Sequence, residues 1–466
     1  MIDYSTLASI PRLYVLLLLA ALLVFFNIVS IIQRKIGRQF WQSVLLLVLM
    51  SLTIGVMIIT SANYTLFNLL IVSPLSLYFA LIFTIGTLLV NILGYSKDAH
   101  YSSFSLLSSF ALIGMYLVAF AGSLVSIFIG LELMSIPTIF AILLSRKIAI
   151  EASVKLFILA SIAIALFAFG MVLVYGATGS ILLSSPQTFS TLMLIALALL
   201  IAALGFETAL FPFNLWVPDV YQGSTTYVTA LLGGINKKVG FLALMQVLFL
   251  LFIAYKSAFI PILYIIAILT MFYGNLAALA QKNVKRLLAY SSIAQAGYIL
   301  IGLVVATQYS LGATLFQIFA HMIMFIGAMG VVLFMESKNR HEINDYIGLH
   351  KESSIAAFCL AIILISFIGI PLTAGFIGKF LLFSSAVYGG LLPLAIFGVV
   401  NSMISVYYYF KVIAAMYTSR SEPIHIKMHG NVLFVVLLCT LLILILGIYP
   451  QILIALANSA AQVLLG

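Results

Sequence analysis

Residues Gly205 to Gly223 read GFETALFPFNLWVPDVYQG. On either side lie apolar runs of about 20 residues, the length of helix that crosses a ~30 Å hydrocarbon layer. The stretch itself holds Glu207, Pro212, Pro218, Asp219 and one of only two tryptophans in the chain. Proline in a helix interior removes a hydrogen bond and breaks or kinks the helix. Irregular backbone is tolerated at membrane depth only where protein or water satisfies it. A broken helix beside a carboxylate therefore points to a site inside a membrane bundle.

The rest of the chain supplies that bundle. Of 466 residues, 65% are hydrophobic and 7% charged, against roughly 25% charged in soluble domains; the mean hydropathy is +1.28. Apolar runs mark about fourteen spans, near 13–33, 41–61, 74–94, 104–122, 123–145, 152–175, 189–211, 225–253, 258–280, 286–306, 310–335, 353–386 (broken), 391–417 and 431–450. The expected fold is an all-α polytopic membrane protein, because a spanning helix satisfies its own backbone hydrogen bonds. The first run, from near Leu13 to Arg34 and Lys35, lacks a basic leader and is too long for a signal-peptide core, so it reads as a permanent span. Cys359 and Cys439 both fall inside spans, which leaves neither a structural disulfide nor a CxxC redox pair.

A net charge of +10 raises the question of nucleic acid, but no basic run interleaves with aromatics on a polar face. The bases segregate by loop instead. Arg34, Lys35 and Arg38 follow the first span, Lys97 the third, Arg146 and Lys147 the fifth. Lys282, Lys285 and Arg286 follow the ninth, Lys338, Arg340 and Lys351 the eleventh, Arg420 and Lys427 the thirteenth. The even loops hold essentially only Lys256. By the positive-inside rule the odd loops are cytoplasmic, which places both termini outside the cell (plasma) membrane.

No Pro/Ser-rich linker divides the chain, so residues 1–466 read as one membrane domain. A second interrupted span, SFIGIPLTAGFIGKF, carries Pro371, 159 residues beyond Pro212. That separation is about five spans with their loops. An odd number inverts the second copy of a repeat, the plan of many transporters. The first inverted repeat is placed at 104–253 and the second at 258–417, each with a broken helix. The plain alternative is two unrelated proline kinks.

Ionisable groups at bilayer depth cost about 2.5–3.5 kcal/mol each on insertion scales and need a partner or a task. Glu132 lies in FIGLELMSIP, Glu207 in the seventh span, Lys237 and Lys238 in GGINKKVGF, and Lys379 just after the second break. Lys155 sits near the inner end of the sixth span and His321 in IFAHMIMF. Both signs of charge at similar depth point to a proton path rather than a site for one ion. For Lys155 the ordinary explanations are a pair with Glu151 or snorkelling; for His321, a satisfied bundle histidine; Lys411 reads as an interfacial anchor. Glu132 and Lys379 are the firmest functional candidates. Other chemistry is poorly supported. His425 and His429 have metal-like spacing but no third ligand, and GFIGKF fails as a phosphate loop because Thr373 and Phe380 occupy its required Gly and Ser/Thr positions.

The stretches PFNLWVPDVYQG (212–223), NVKRLLAYSSIAQAGY (283–298) and GIPLTAGFIGKF (369–380) resemble the antiporter-like membrane subunits of complex I, in particular subunit N of NADH-quinone oxidoreductases. GLELMSIP (130–137) and YGATGS (175–180) extend the resemblance over about the central two-thirds of the chain. It implies fourteen helices with two inverted five-helix repeats, and proton translocation without a redox centre in this chain. Iron–sulfur clusters and quinone would then belong to partner subunits, alongside sister antiporter-like and small membrane subunits. By motif position it implies that Glu132 is the fifth-helix glutamate, Lys155 the sixth-helix lysine, Lys237 the central relay lysine and Lys379 the exit lysine. Three positions depart from the pattern: Glu207 replaces a lysine, and Asn214 and Gln295 replace histidines. Glu207 thus removes an expected ion pair and puts two carboxylates in one half-channel, where they can share a proton. Lys238 is the expected source of compensating charge, although consecutive helical residues point about 100° apart. The function expected is that of a proton-pumping subunit of an NADH- or other donor:quinone oxidoreductase. The alternatives are a cation/proton antiporter or membrane-bound hydrogenase subunit, and a structural subunit that no longer pumps.

Overall fold

The computed structural model describes residues 4–33, 35–66, 69–95, 99–144, 149–184, 190–419 and 427–465. The loop bases Arg34, Lys97, Arg146, Lys147 and Arg420, and His425, lie outside the described residues.

The chain is almost entirely helical. It runs through α1 (Tyr4–Ile32), α2 (Ile36–Ile59), α3 (Pro74–Gly94), α4 (Ala99–Ala119), α5 (Leu124–Leu143), α6 (Ala149–Thr178) and α7 (Thr191–Thr208). It continues through α8 (Trp216–Gly223), α9 (Thr226–Leu231), α10 (Lys237–Gln246), α11 (Lys256–Leu279), α12 (Val284–Val305) and α13 (Gln308–Glu336). The last elements are α14 (Leu349–Glu352), α15 (Ser354–Ile368), α16 (Ala374–Tyr388), α17 (Leu392–Tyr417), α18 (Gly430–Ile448) and α19 (Gln451–Gln462). A short hairpin, β1 (Tyr64–Leu66) and β2 (Leu70–Val72), joins α2 to α3 with Thr65 opposite Ile71. Among the described residues, 13 helical segments are long and apolar enough to cross a membrane. One of them, Thr226–Leu251, strings α9 and α10 together through π-helical turns. The shorter apolar pair α15 and α16 makes the broken span, so the architecture matches the expected fourteen. The hairpin and the terminal α19 had no counterpart in the apolar run lengths, because neither is a membrane-length run.

Two compact units emerge: Met1–Thr208 with Ile235–Phe259 and Ser459–Gly466, and Ala209–Gly234 with Ile260–Asn458. In the first, α1, α2 and α4 are joined by a seam of neutral polar side chains. Asn27 Oδ1 accepts from Gln39 Nε2 at 2.7 Å, Ser105 Oγ at 3.0 Å and Ser43 Oγ at 3.2 Å. Asn27 Nδ2 donates to Ser109 Oγ at 3.1 Å, and Ser102 Oγ donates to Gln39 Oε1 at 2.6 Å. All six residues are buried. Lipid tails are as apolar as leucine and give helices no hydrophobic reason to associate, so such bonds and close packing take over that role.

In the second unit, helix starts follow capping chemistry. Asn283 Oδ1 accepts from Arg286 N at 3.0 Å to begin α12, and Thr307 forms a capping box with Ser310 to begin α13. Helix ends follow the breaks. α15 stops at Gly369, whose φ of +93° is left-handed, and Thr373 caps α16 by accepting from Phe376 N. At the other break, α7 ends at Thr208, Ala209 has a φ of +59° and a cis bond joins Phe211 to Pro212. There Phe211 N donates to Thr270 Oγ1 at 3.0 Å, which satisfies one amide that the break exposes.

Asn27→Leu should strip an acceptor from three donors of the seam and lower stability by about 1–2 kcal/mol, read as an earlier thermal transition in detergent. Ser51→Ala, which removes only a bond to Leu47 O within α2, should leave the transition in place. Equal transitions for Asn27→Leu and wild type would show that the seam does not hold the helices.

Candidate functional site

Glu132 sits in the middle of α5, and Glu207 occupies the penultimate position of α7. Both line one cavity of about 60 Å³, with Ser135 from α5 and Ser161 from α6. A space of that size accommodates water, so the two carboxylates face a hydratable pocket walled by two hydroxyls. Among the described residues neither carboxylate forms an ion pair. Glu207 packs instead against Gly240 of α10: a Cβ added there would stand 2.8 Å from Glu207 Cβ. The glycine lets α10 pass at the carboxylate's root. Lys155, near the start of α6, does not line this cavity, and it forms no ion pair with Glu151 among the described residues.

Lys237 and Lys238 open α10 directly after the π-helical turn Leu232–Asn236. Their relative exposures are 2% and 1%. Neighbouring side chains point about 100° apart, and here every residue of α10 is buried. The segment Thr226–Leu251 is 94% buried over its most apolar window. π-Helical turns in α-helices occur frequently at functional sites. Just ahead of the lysines, Asn236 Nδ2 donates to Thr138 Oγ1 of α5 at 3.0 Å.

The second unit centres on Lys379, 3% exposed on α16. Its Nζ donates to Phe367 O, Ile368 O and Ser402 Oγ, each at 2.9 Å. Both carbonyls end α15, where four C=O groups lose their helical donors and carry the negative end of the helix dipole. The break at 369–373 thus creates the acceptors, and the lysine two turns later on the following helix fills them. Gly369 makes room: a Cβ there would lie 3.0 Å from Lys379 Cδ on a backbone already at φ +93°. The Tyr298 ring covers the remaining side, its centroid 4.5 Å from Nζ, within cation–π range.

Phe367 links this lysine to the other polar groups of the unit. The His321 ring meets the Phe367 ring edge-on at 5.8 Å and stacks on Phe325. Gln295 Nε2 donates to Phe367 O at 3.3 Å, and Gln295 Oε1 accepts from Gln317 Nε2 at 3.1 Å. Gln295 therefore lies on the line between α13 and Lys379 as a neutral amide. Asn214, the other replaced histidine, is fully buried.

One cluster escaped the sequence reading, which took Lys285 and Arg286 as loop bases. They occupy the first turn of α12. Lys285 Nζ donates to Ser224 O at 2.7 Å and lies 3.5 Å from Glu336, which also accepts from Thr226. Arg286 Nη1 donates to Asp219 Oδ1 at 2.8 Å and Gln222 Oε1 at 3.0 Å. The motifs at 212–223 and 283–298 meet here. Their paired charges were visible in sequence, but their contact depends on tertiary packing.

The model of the family described as NADH:quinone oxidoreductase/Mrp antiporter, TM, matches residues 121–405. NADH-quinone oxidoreductase subunit N 1 of Chloroherpeton thalassium is 36% identical over 402 residues, covering 82% of this chain and 84% of that protein. F(420)H(2) dehydrogenase subunit N of Methanosarcina mazei is 35% identical over 430 residues, 87% of each. A chain of respiratory complex I from Thermus thermophilus superposes with a TM-score of 0.82 at 30% identity, over 96% of this chain and 99% of its own. Together with the broken helices and buried lysines, these likenesses show that the chain belongs to the NADH:quinone oxidoreductase/Mrp antiporter family, as an antiporter-like membrane subunit of the N type.

Proposed function

We propose that this chain is the proton-translocating N-type membrane subunit of a complex I-type donor:quinone oxidoreductase. The observation that carries the reading is Lys379, a proton carrier buried in the bundle and seated on the carbonyls of a broken helix. An ammonium there holds one proton in a defined place, and its release leaves an amine that the bundle also accommodates. Glu132 and Glu207, on a shared hydratable cavity, form the carboxylate end of the path and share a proton between them. Lys237 and Lys238 serve as the central station, with Lys155 and His321 as subsidiary relays. Residues 104–253 and 258–417 act as inverted repeats, each contributing one break.

The chain's share is proton movement. Electron transfer, with its iron–sulfur clusters and quinone, belongs to partner subunits, and sister antiporter-like and small membrane subunits flank this one in the plasma membrane. Both termini then face outside. The second reading, a subunit of a cation/proton antiporter, draws on the likeness in fold to a chain of the Mrp complex from Dietzia, with a TM-score of 0.88 at 18% identity.

Gentle purification of the native assembly, with subunit identification and iron–sulfur spectroscopy, separates the two readings. Iron–sulfur signals with co-purifying quinone-site subunits are expected; antiporter subunits with no redox centre would favour the exchanger. Within the assembled complex, Lys379→Ala and Lys379→Arg should each reduce coupled proton translocation by about 100-fold. The arginine keeps the charge yet cannot release its proton, so normal pumping in Lys379→Arg would exclude protonation cycling at this position. Glu207→Gln should lower translocation by about tenfold or more, measured as protons moved per electron in proteoliposomes. Unchanged stoichiometry would mean that Glu207 is not a working carboxylate.

A further inference from the structure

The surroundings of Lys379 distinguish its three hydrogen-bond partners. An ammonium has three N–H groups and no lone pair, whereas the free amine has two N–H groups and one lone pair. All three directions around Nζ are taken, by Phe367 O, Ile368 O and Ser402 Oγ at 2.9 Å each. When the proton leaves, the lone pair must point along one of them. A carbonyl oxygen has no hydrogen to offer and would repel it, and the negative face of the Tyr298 ring, 4.5 Å away, would do the same. Ser402 alone has a hydrogen to give. In the structure that hydrogen is directed to Ile368 O, 3.0 Å from Oγ.

Resting on the reading of Lys379 as a proton carrier, we propose that Ser402 of α17 is its proton-positioning residue: the hydroxyl accepts from the ammonium, reverses to donate to the amine, and so fixes the axis along which the proton departs. The step balances simply. The hydroxyl hydrogen of Ser402 first turns from Ile368 O to a water molecule beside it; the N–H bond along the Nζ–Oγ axis then breaks as its proton passes to Oγ, the former hydroxyl hydrogen passes to the water to give hydronium, and the electron pair stays on Nζ. The hydrogen received by Oγ is the one that Ser402 then donates to that pair, while Nζ keeps both carbonyls. On reprotonation the hydroxyl turns back.

Location supports this role. Lys379 and Ser402 lie on the wall of a cavity of about 710 Å³, whose only other polar lining side chain is Ser384. The cavity opens among the exposed Phe380, Ile396 and Met403. Proton departure toward Ser402 therefore leads into this cavity, whereas departure toward either carbonyl leads into the end of α15. The titratable groups around the lysine are few. Tyr298 comes from α12, His321 of α13 lies across Phe367, and Tyr409 of α17 stacks on that same ring at 5.6 Å. Among the described residues no salt bridge engages Lys379.

The test uses the complete complex in proteoliposomes, with the initial rate of proton translocation recorded across pH. Ser402→Ala should slow translocation by about tenfold, the effect of one lost hydrogen bond to a charged group, and should move the pH of half-maximal rate. Ser402→Thr keeps the hydroxyl and has room for its methyl in the cavity, so its rate should stay within about twofold of wild type and its pH profile should superimpose. Should Ser402→Ala fail to assemble, Ser402→Cys retains a weaker donor and should show an intermediate loss. Wild-type rate and pH profile in Ser402→Ala or Ser402→Cys, with Lys379→Ala inactive, would overturn the role of Ser402 alone. Normal pumping by Lys379→Ala would overturn the underlying reading of the lysine instead. Equal impairment of Ser402→Thr and Ser402→Ala would also refute the proposal, because the loss would then follow volume rather than the hydroxyl.

Discussion

Backbone polarity at membrane depth is the constraint from which the rest follows. A helix interrupted inside a bilayer leaves carbonyls without donors, and no solvent is at hand to satisfy them. Here α15 ends at Ile368, and the ammonium of Lys379 takes up two of its terminal oxygens. The break and the lysine explain each other. Without the break, the cation would lose two of its three acceptors; without the cation, each carbonyl would keep only one side-chain donor, Gln295 for Phe367 O and Ser402 for Ile368 O. Gly369, which tolerates the left-handed turn and leaves space for the lysine stem, completes the arrangement.

The first unit solves a different problem with different chemistry. Its carboxylates have no facing cation within ion-pair distance among the described residues, and they share a small space lined by serines. Water in such a space can solvate whichever carboxylate is charged at a given moment. The seam around Asn27 has no charge at all, and each of its members is tied to another helix. Neutral bonds of this type hold helices together without offering a proton a place to rest.

Much of this was legible in the sequence, for physical reasons. The spans announce themselves through run length, and the break at Pro371 through proline's missing donor. The seven candidate residues stand out because charge is rare in this chain. Their partners were less legible. Ser402 lies on a separate helix, 23 residues beyond Lys379, and nothing about an isolated serine in an apolar run marks it as a lysine's neighbour. Lys285 looked like a loop base because a helix's first turn and the loop before it share the same composition; only packing against Ser224 and Glu336 buries it. The close approach of Gly240 to the root of Glu207 depends on how α10 packs against α7, which run length and charge do not encode.

The all-round burial of Thr226–Leu251 has a consequence for how the chain is made. A segment with adjacent lysines at its centre carries an insertion penalty of about 2.5–3.5 kcal/mol for each, and its mean hydropathy of 1.4 is among the lowest of the spans. Such a helix gains little by entering lipid alone. During synthesis it has to remain beside the insertion machinery until neighbouring helices can cover it, so this span enters the membrane as part of a group. The two lysines thereby tie the order of membrane entry to the order of helix packing.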